Sequence, residues 1–299
     1  MQESHITLPS FAKINLRLKV LGKRPDGYHE IVTVFQTVSL ADRLRFETAD
    51  DVSARCDSPS VPSDENNLAV RAAVMLREAA GIKKGVTIHI EKHIPAPGGL
   101  GGGSSNAAVT LLALNRLWRT GMTAPELAAI GAELGSDVPF FLVGGTAVGH
   151  GRGESVSEIP DIEEKLLLIV TPPVSVPASE AYGRLDAADL TSTDPNRNLL
   201  VCRKWAENAD LRQLSLENDL EGPVFAAYPD VRTAKERLLE LGAVNALMSG
   251  SGASVFGIFD NETTRQTAMK ALGVNADWRG FAVATISRSE YREALDQVF

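Results

Sequence analysis

The chain has 299 residues, 44% of them hydrophobic, enough for a sizeable core and, at roughly 150 residues per domain, for two domains. Thirty Lys and Arg against 38 Asp and Glu leave a formal net charge of -8, with no basic block interleaved with aromatics. That argues against nucleic-acid or anionic-membrane binding, whose affinity rests on clustered cations. Cys56 and Cys202 are too few and too far apart for a disulfide framework or a metal site, so a reducing cytoplasm is the expected home. The amino terminus has no signal-type apolar core, and no apolar run approaches the ~20 positions of a membrane helix.

Taken in chain order, Ile14, Leu16, Leu18 and Val20 alternate with Lys13, Asn15, Arg17 and Lys19, which predicts a strand with one buried face. Periodicity alone puts Lys13 and Asn15 on the solvent side. "KRPDGYHE" supplies Pro and Asp-Gly turn chemistry before a second β-rich run from Ile31 to Val38. A helix is expected from about Asn67, with Leu68, Ala72, Met75, Leu76 and Ala79 at helical spacing and Gly81 as its stop. Strand "VTIHIE" leads into "PAPGGLGGGSSNAA", residues 95 to 108, after which Ala108, Leu111, Leu112, Asn115 and Trp118 repeat as a helix ending at Gly121. Thr123 and Glu126 fit a capping box for a further helix that ends near Gly135. The stretch from Glu158 to Pro177 mixes acidic residues, prolines and the apolar strand "KLLLIV", and there the chain is divided into domains 1–160 and 161–299. Beyond it, "VRTAKERLLELG" and "ETTRQTAMKALG" read as helices, and "NALMSG", "ASVFGIF" and "FAVATIS" as strands, which makes both halves α+β.

The glycine run joins a strand to a helix, so a flexible linker is a poor reading. A common P-loop needs Gly-Lys-Ser/Thr at its end, and no lysine follows. A dinucleotide fingerprint matches only weakly, outside any long βαβ alternation. A phosphate cradle fits better: glycines let backbone N–H groups approach an anion, and a helix start adds unpaired donors and about half a positive charge. The helix begins Ser104, Ser105, Asn106, Ala107, Ala108, with no acidic residue to neutralise that end. A tight structural turn remains the rival reading.

Together with "PSFAKINLRLKVLGKRPDGYHEI" and "LMSGSGASVFGIF", the glycine run resembles the three ordered motifs of the GHMP kinases, small-molecule kinases named for galactose, homoserine, mevalonate and phosphomevalonate. The resemblance implies an α+β two-domain fold, with a ribosomal-protein-like amino-terminal domain and a ferredoxin-like carboxy-terminal domain. It implies ATP and Mg2+, a small-molecule alcohol as acceptor, no nucleic acid or membrane partner, and a monomer or weak homodimer. The Ala-Lys-Ile-Asn-Leu strand and the Arg-Pro-Asp-Gly-Tyr-His turn are most similar to the branch whose acceptor is a polyol linked to cytidine diphosphate. The homoserine or mevalonate type is the alternative.

Carried over residue by residue, the resemblance makes Lys13 and Asp137 catalytic, although Asp137 also suits a helix cap. It places ATP against Pro95, Ala96, Gly98, Gly99, Leu100, Gly101, Gly102, Gly103, Ser104, Ser105 and Asn106, with Asn67 and Lys92 alongside and the Ser105 hydroxyl as the candidate metal contact. Asn15, Tyr28, His29 and Tyr182 would hold the acceptor, the base lying between the two tyrosines. Gly250, Ser251 and Gly252 would close on the phosphates; alone they read as a hairpin turn. Pro97 departs from the family pattern and removes one backbone donor, and Ala178 lacks the hydroxyl that relatives often carry there. An RNA-binding module, suggested by the amino-terminal fold, is disfavoured by the acidic charge.

Overall fold

The computed structural model describes residues 5–59, 61–185, 216–273, 277–296 and 298–299; Cys202 lies outside them. Strands β1 (His5–Lys23) and β2 (His29–Ala49) form a long antiparallel hairpin, paired from His5 with Glu47 to Lys23 with His29. Both outrun the expected strands because their outer halves carry a second buried set, Ile6 and Leu8 on β1 with Leu44 and Phe46 on β2. Each such fully buried side chain contributes about 1.5–3 kcal/mol. The length of β2 gives it two further antiparallel partners, β4 (Gly85–Glu91) along Arg43–Ala49 and β5 (Thr146–Gly151) along Ile31–Gln36. β3 (Val52–Cys56) adds parallel to β4, and β6 (Ser155–Glu158) antiparallel to β5.

A register shift in β1 between Phe11 and Ala12 decides where the polar residues go. Strand side chains alternate faces, and at this irregularity, where two β2 residues, Ser39 and Leu40, lie opposite no β1 residue, the two faces of β1 change partners. Before the shift Ile6 and Leu8 pack with the helical layer; after it Ala12, Ile14 and Leu16 pack with the second sheet. Lys13 and Asn15 are thereby turned to the helical side, where they are only 3% and 2% exposed.

That layer holds α1 (Leu68–Ala79), α2 (Gly102–Trp118), α3 (Ala124–Leu134) and α4 (Val138–Phe141). Small residues on α1 and α2, among them Ala69, Ala72, Ala107 and Ala108, lie buried in one cluster with Leu76, Leu111 and Phe46. Thr123 and Glu126 form the expected capping box of α3. Arg119 ends α2 in the left-handed conformation, at φ 56°.

The second sheet runs in the order β11 (Arg279–Ala284), β7 (Leu166–Thr171), β10 (Val255–Phe259), β9 (Asn245–Met248), all antiparallel. Helices α5 (Ala178–Gly183), α6 (Glu221–Ala227) and α7 (Pro229–Glu240) fall between β7 and β9, and α8 (Glu262–Leu272) between β10 and β11, a ferredoxin-like succession. Two segments return to the first sheet. β8 (Glu217–Asn218) pairs parallel with Arg17 and Leu18. α9 (Arg288–Ala294) buries Tyr291, whose hydroxyl donates to the Phe141 carbonyl at the end of α4. Among the described residues no helix is long and apolar enough to cross a membrane.

Candidate active site

Between the glycine run, the β1–β2 turn and α5 lies a cleft of about 780 Å³, with Lys13, Asn15 and Asp137 among its lining. The Lys13 Nζ donates to Asn15 Oδ1 at 2.6 Å and lies 3.3 Å from Asp137 Oδ2. Asn15 Nδ2 donates to Thr33 Oγ1 at 2.7 Å, and that hydroxyl to the Arg17 carbonyl at 2.7 Å. The amide is thus fixed with its oxygen on the ammonium. Phe35, its centroid 5.6 Å from Nζ, closes another side. Asp137 stands before α4 and makes no capping hydrogen bond, so its carboxylate is free for the cleft. Its side chain is 31% exposed against 4% for Lys13, one partner open to water and the other withdrawn from it.

The glycine run is tied to this pair. Lys13 N–H donates to the Leu100 carbonyl at 3.0 Å, and a Cβ on Gly101 (φ 71°) would stand 2.8 Å from the Phe141 ring and 3.0 Å from Lys13 Cγ. α2 begins one residue later with no side-chain cap and no acidic residue in its first turn, leaving its first N–H groups for another acceptor. The third motif closes over the run. A Cβ on Gly99 would lie 2.2 Å from the Ser249 carbonyl, Ser249 Oγ donates to the Gly99 carbonyl at 3.0 Å, and Ser254 N–H to that of Gly98 at 3.2 Å. Asn218 Nδ2 donates to the carbonyls of Met248 and Gly250, 2.8 Å each, so the short β8 anchors the motif. Gly250 and Ser251 line the cleft; Gly252, at φ 87°, packs behind them against Met248.

Other expected ATP contacts are placed differently. Asn67 caps α1, its Oδ1 accepting from Ala69 N–H at 2.9 Å and its Nδ2 donating to the Pro62 carbonyl at 2.7 Å. Lys92 Nζ is buried between Asp42 Oδ2 at 2.7 Å and the Ile94 carbonyl at 2.6 Å; burial lowers its pKa, with Asp42 opposing. It also lies against α2's start, 3.0 Å from a Cβ built on Gly102. Ser105 is fully buried, with Ser10 Oγ 2.7 Å from both its hydroxyl and Asn106 Oδ1. Of the run, Gly99, Gly101 and Ser104 line the cleft; Pro95, Ala96, Gly98, Leu100, Gly102 and Gly103 do not, and Ala96 and Gly103 are exposed. Among the described residues no group of three or more His, Cys, Asp or Glu gathers as a metal site.

At the far end the His29 and Tyr182 rings stack, centroids 5.3 Å apart and 24° from parallel. Burial, with the Asp137 charge adding to it, pushes the Tyr182 phenol up. Burial, then the charge of Lys23, holds the His29 imidazole below its usual range. Tyr28 is 55% exposed, and the Arg152 guanidinium lies 4.9 Å from its ring centroid. Each tyrosine therefore already carries a planar neighbour. Lys23, Thr33, Ser136, Arg152 and Ser249 escaped sequence reasoning; only Arg152, a cation between two glycines after a strand, carried a local signal.

An anion cradle on a helix start, a buried lysine beside an open carboxylate and an aromatic-rimmed cleft define a small-molecule kinase of the GHMP fold. Family models agree: GHMP kinases N terminal domain matches residues 67–145, and GHMP kinases C terminal matches residues 198–275. A 4-diphosphocytidyl-2-C-methyl-D-erythritol kinase of Moorella thermoacetica is 43% identical over 271 residues, 89% of this chain and 94% of that one. One of Alkaliphilus metalliredigens is 40% identical over 275 residues, covering 90% and 93%. The crystal structure of a 4-(cytidine 5'-diphospho)-2C-methyl-D-erythritol kinase superposes with a TM-score of 0.76 at 36% identity, over 94% of this chain and 99% of that one. A homoserine kinase from Cytophaga hutchinsonii shares the fold, with a TM-score of 0.73 at 18% identity over 96% of each chain. The chain belongs to the 4-diphosphocytidyl-2-C-methyl-D-erythritol kinase family, within the GHMP kinases.

Proposed function

We propose that the protein transfers the γ-phosphoryl group of ATP to the 2-hydroxyl of 4-diphosphocytidyl-2-C-methyl-D-erythritol (CDP-methylerythritol), a step of the non-mevalonate route to isoprenoid precursors. The observation that carries this is the Lys13–Asp137 pair, 3.3 Å apart and set against the glycine run. Asp137 takes the proton of the acceptor hydroxyl as the phosphoryl group arrives. Lys13, oriented by Asn15, pairs with the carboxylate and offsets charge on the transferring group, while N–H groups of the run as far as Ser104 receive the nucleotide phosphates, that of Ser105 being given to the Gly101 carbonyl. No phosphoenzyme is needed, and the gain comes from positioning and preset electrostatics.

Tyr28, His29 and Tyr182 select the cytidyl end. Stacking is worth about 1–3 kcal/mol per base, enough to separate a nucleotide-linked alcohol from a bare one. Mg2+ enters with ATP on phosphate oxygens and water rather than on a protein cage, because the one hydroxyl considered for it, Ser105, is buried against Ser10. Every side chain used comes from one chain, so a monomer suffices. The test is ADP release with ATP and Mg2+, offering CDP-methylerythritol, homoserine and mevalonate in parallel. Turnover with the first alone is expected; turnover with homoserine or mevalonate instead would keep the kinase and reject the acceptor.

A further inference from the structure

We propose, resting on the phosphoryl-transfer reading above, that Asn218 is a positioning residue: it turns the Gly250–Ser251 peptide so that the Ser251 N–H meets the transferring group beside Lys13. Gly250 and Ser251 line the cleft, and a Cβ on Gly250 would stand 3.3 Å from both Lys13 Nζ and Asn15 Oδ1. Their turn is closed by Gly252 N–H on the Ser249 carbonyl at 3.0 Å, with Gly250 at φ 56°. Among the described residues the N–H groups of Gly250 and Ser251 donate to no acceptor. Successive unspent donors in such a turn suit an anion.

Asn218 acts from the other side. It is 7% exposed and takes no part in the cleft lining. Its Nδ2 donates to the carbonyls of Met248 and Gly250, and its Oδ1 accepts from Leu220 N–H at 2.9 Å, so both amide hydrogens are spent and the amide is fixed in one orientation. In a planar trans peptide the carbonyl and the N–H point in opposite directions. Holding the Gly250 carbonyl toward Asn218, outside the cleft, therefore directs the Ser251 N–H to the cleft side.

The frame around Asn218 is stronger than a two-residue strand requires. β8 pairs with Arg17 and Leu18, on the strand that carries Lys13 and Asn15. On its flanks Glu217 pairs with Arg17 at 2.9 Å and Lys19 at 2.8 Å, and Asp219 with Lys19 at 2.9 Å and the Val20 N–H at 2.8 Å. β1 thus carries the catalytic lysine and, through β8, the peptide set against it. A brace for the second sheet is the competing account, since Asn218 also holds Met248 at the end of β9. The Met248 carbonyl alone would serve a brace; the second hydrogen bond goes to a peptide that borders the ammonium.

Asn218→Asp keeps the volume and the acceptor for Leu220 but loses both donors. With ATP and CDP-methylerythritol, kcat should fall at least about tenfold, toward the roughly 10²–10³-fold that loss of one oxyanion donor costs. The KM for either substrate should stay within about threefold, because ground-state binding uses the glycine run and the aromatic rim. Affinity for ADP with Mg2+ and aluminium fluoride, a mimic of the transferring phosphoryl group, should weaken by the same factor as kcat while that for ADP alone holds. Asn218→Ala introduces no charge and should show the same split, which decides the matter if the Asp variant does not fold. A kcat within about threefold of the parent in a folded variant, or an equal loss of affinity for ADP alone and for the fluoride complex, would overturn the proposal. If the parent turns over none of the three alcohols the acceptor reading fails, and the ratio of the two affinities still decides the role of Asn218.

Discussion

Replacing Asp137 by Asn removes the proposed base while keeping its volume and one carbonyl oxygen. General-base catalysis contributes typically 10²–10⁴-fold, so kcat should fall by about that factor, or about 2.7–5.4 kcal/mol on the barrier. Two unit charges 3.3 Å apart attract by about 5 kcal/mol at an effective dielectric of 20. The ground-state loss is much smaller, because the Asp137 side chain is 31% exposed and Lys13 keeps Asn15 Oδ1 at 2.6 Å. Exposed pairs give about 1 kcal/mol or less, and the melting temperature should hardly move. Removing a negative charge beside the phosphate cradle should leave ATP affinity equal or slightly tighter. Stopped-flow ADP release, calorimetric titration with ATP and a thermal melt separate the three quantities. A kcat within tenfold of the parent, in a protein that melts normally, would refute the assignment of Asp137 as base.

Gly99→Ala would set a Cβ 2.2 Å from the Ser249 carbonyl at a φ of 71°, costing about 1–2 kcal/mol from the backbone alone, and should lower the melting temperature and raise the KM for ATP; an unchanged KM would mean that the run and the third motif do not close together on the nucleotide. Tyr28→Ala removes an exposed ring, so stability should hold while the KM for CDP-methylerythritol rises about 5- to 150-fold and that for ATP does not, and an equal rise for both would reject stacking. Tyr291→Phe leaves the Phe141 carbonyl without its donor and should cost about 1–3 kcal/mol, read as an earlier denaturation midpoint. His29 has a folded pKa below its free value, so the folded state binds fewer protons and the neutral ring contributes stability that is lost as pH falls below about 6.5. Lys23→Met should raise that pKa in a ring-proton titration, and a fall would reverse the assigned cause.

The start of α1 at Asn67, the Thr123–Glu126 box and the helix opening after the glycine run were legible because each is written in adjacent residues. The burial of Lys13 was not. Alternation gives two faces but not their assignment, and the shift between Phe11 and Ala12, which exchanges them, leaves no mark in composition. The resemblance to GHMP kinases placed Lys13 in the site where periodicity had put it in solvent. Arg152 and Asn218 stayed hidden because their partners, Tyr28 and the Met248 and Gly250 carbonyls, are remote in sequence. Lys92 and Ser105 were singled out by motif position, and the structure commits their polar atoms to Asp42 and Ser10.

The two ends of the cleft differ in mechanical character. The Lys13 ammonium, the Asn15 amide and the Thr33 hydroxyl are already held in one chain of hydrogen bonds that ends on the Arg17 carbonyl, whereas Tyr28 and Arg152 form an open rim. For inhibitor design this splits the molecule into a mould and a hinge plate. A group shaped to the fixed floor loses little on binding and leaves little room for error. A group addressed to the rim meets side chains that can turn to meet it, and there chemical variety will be tolerated.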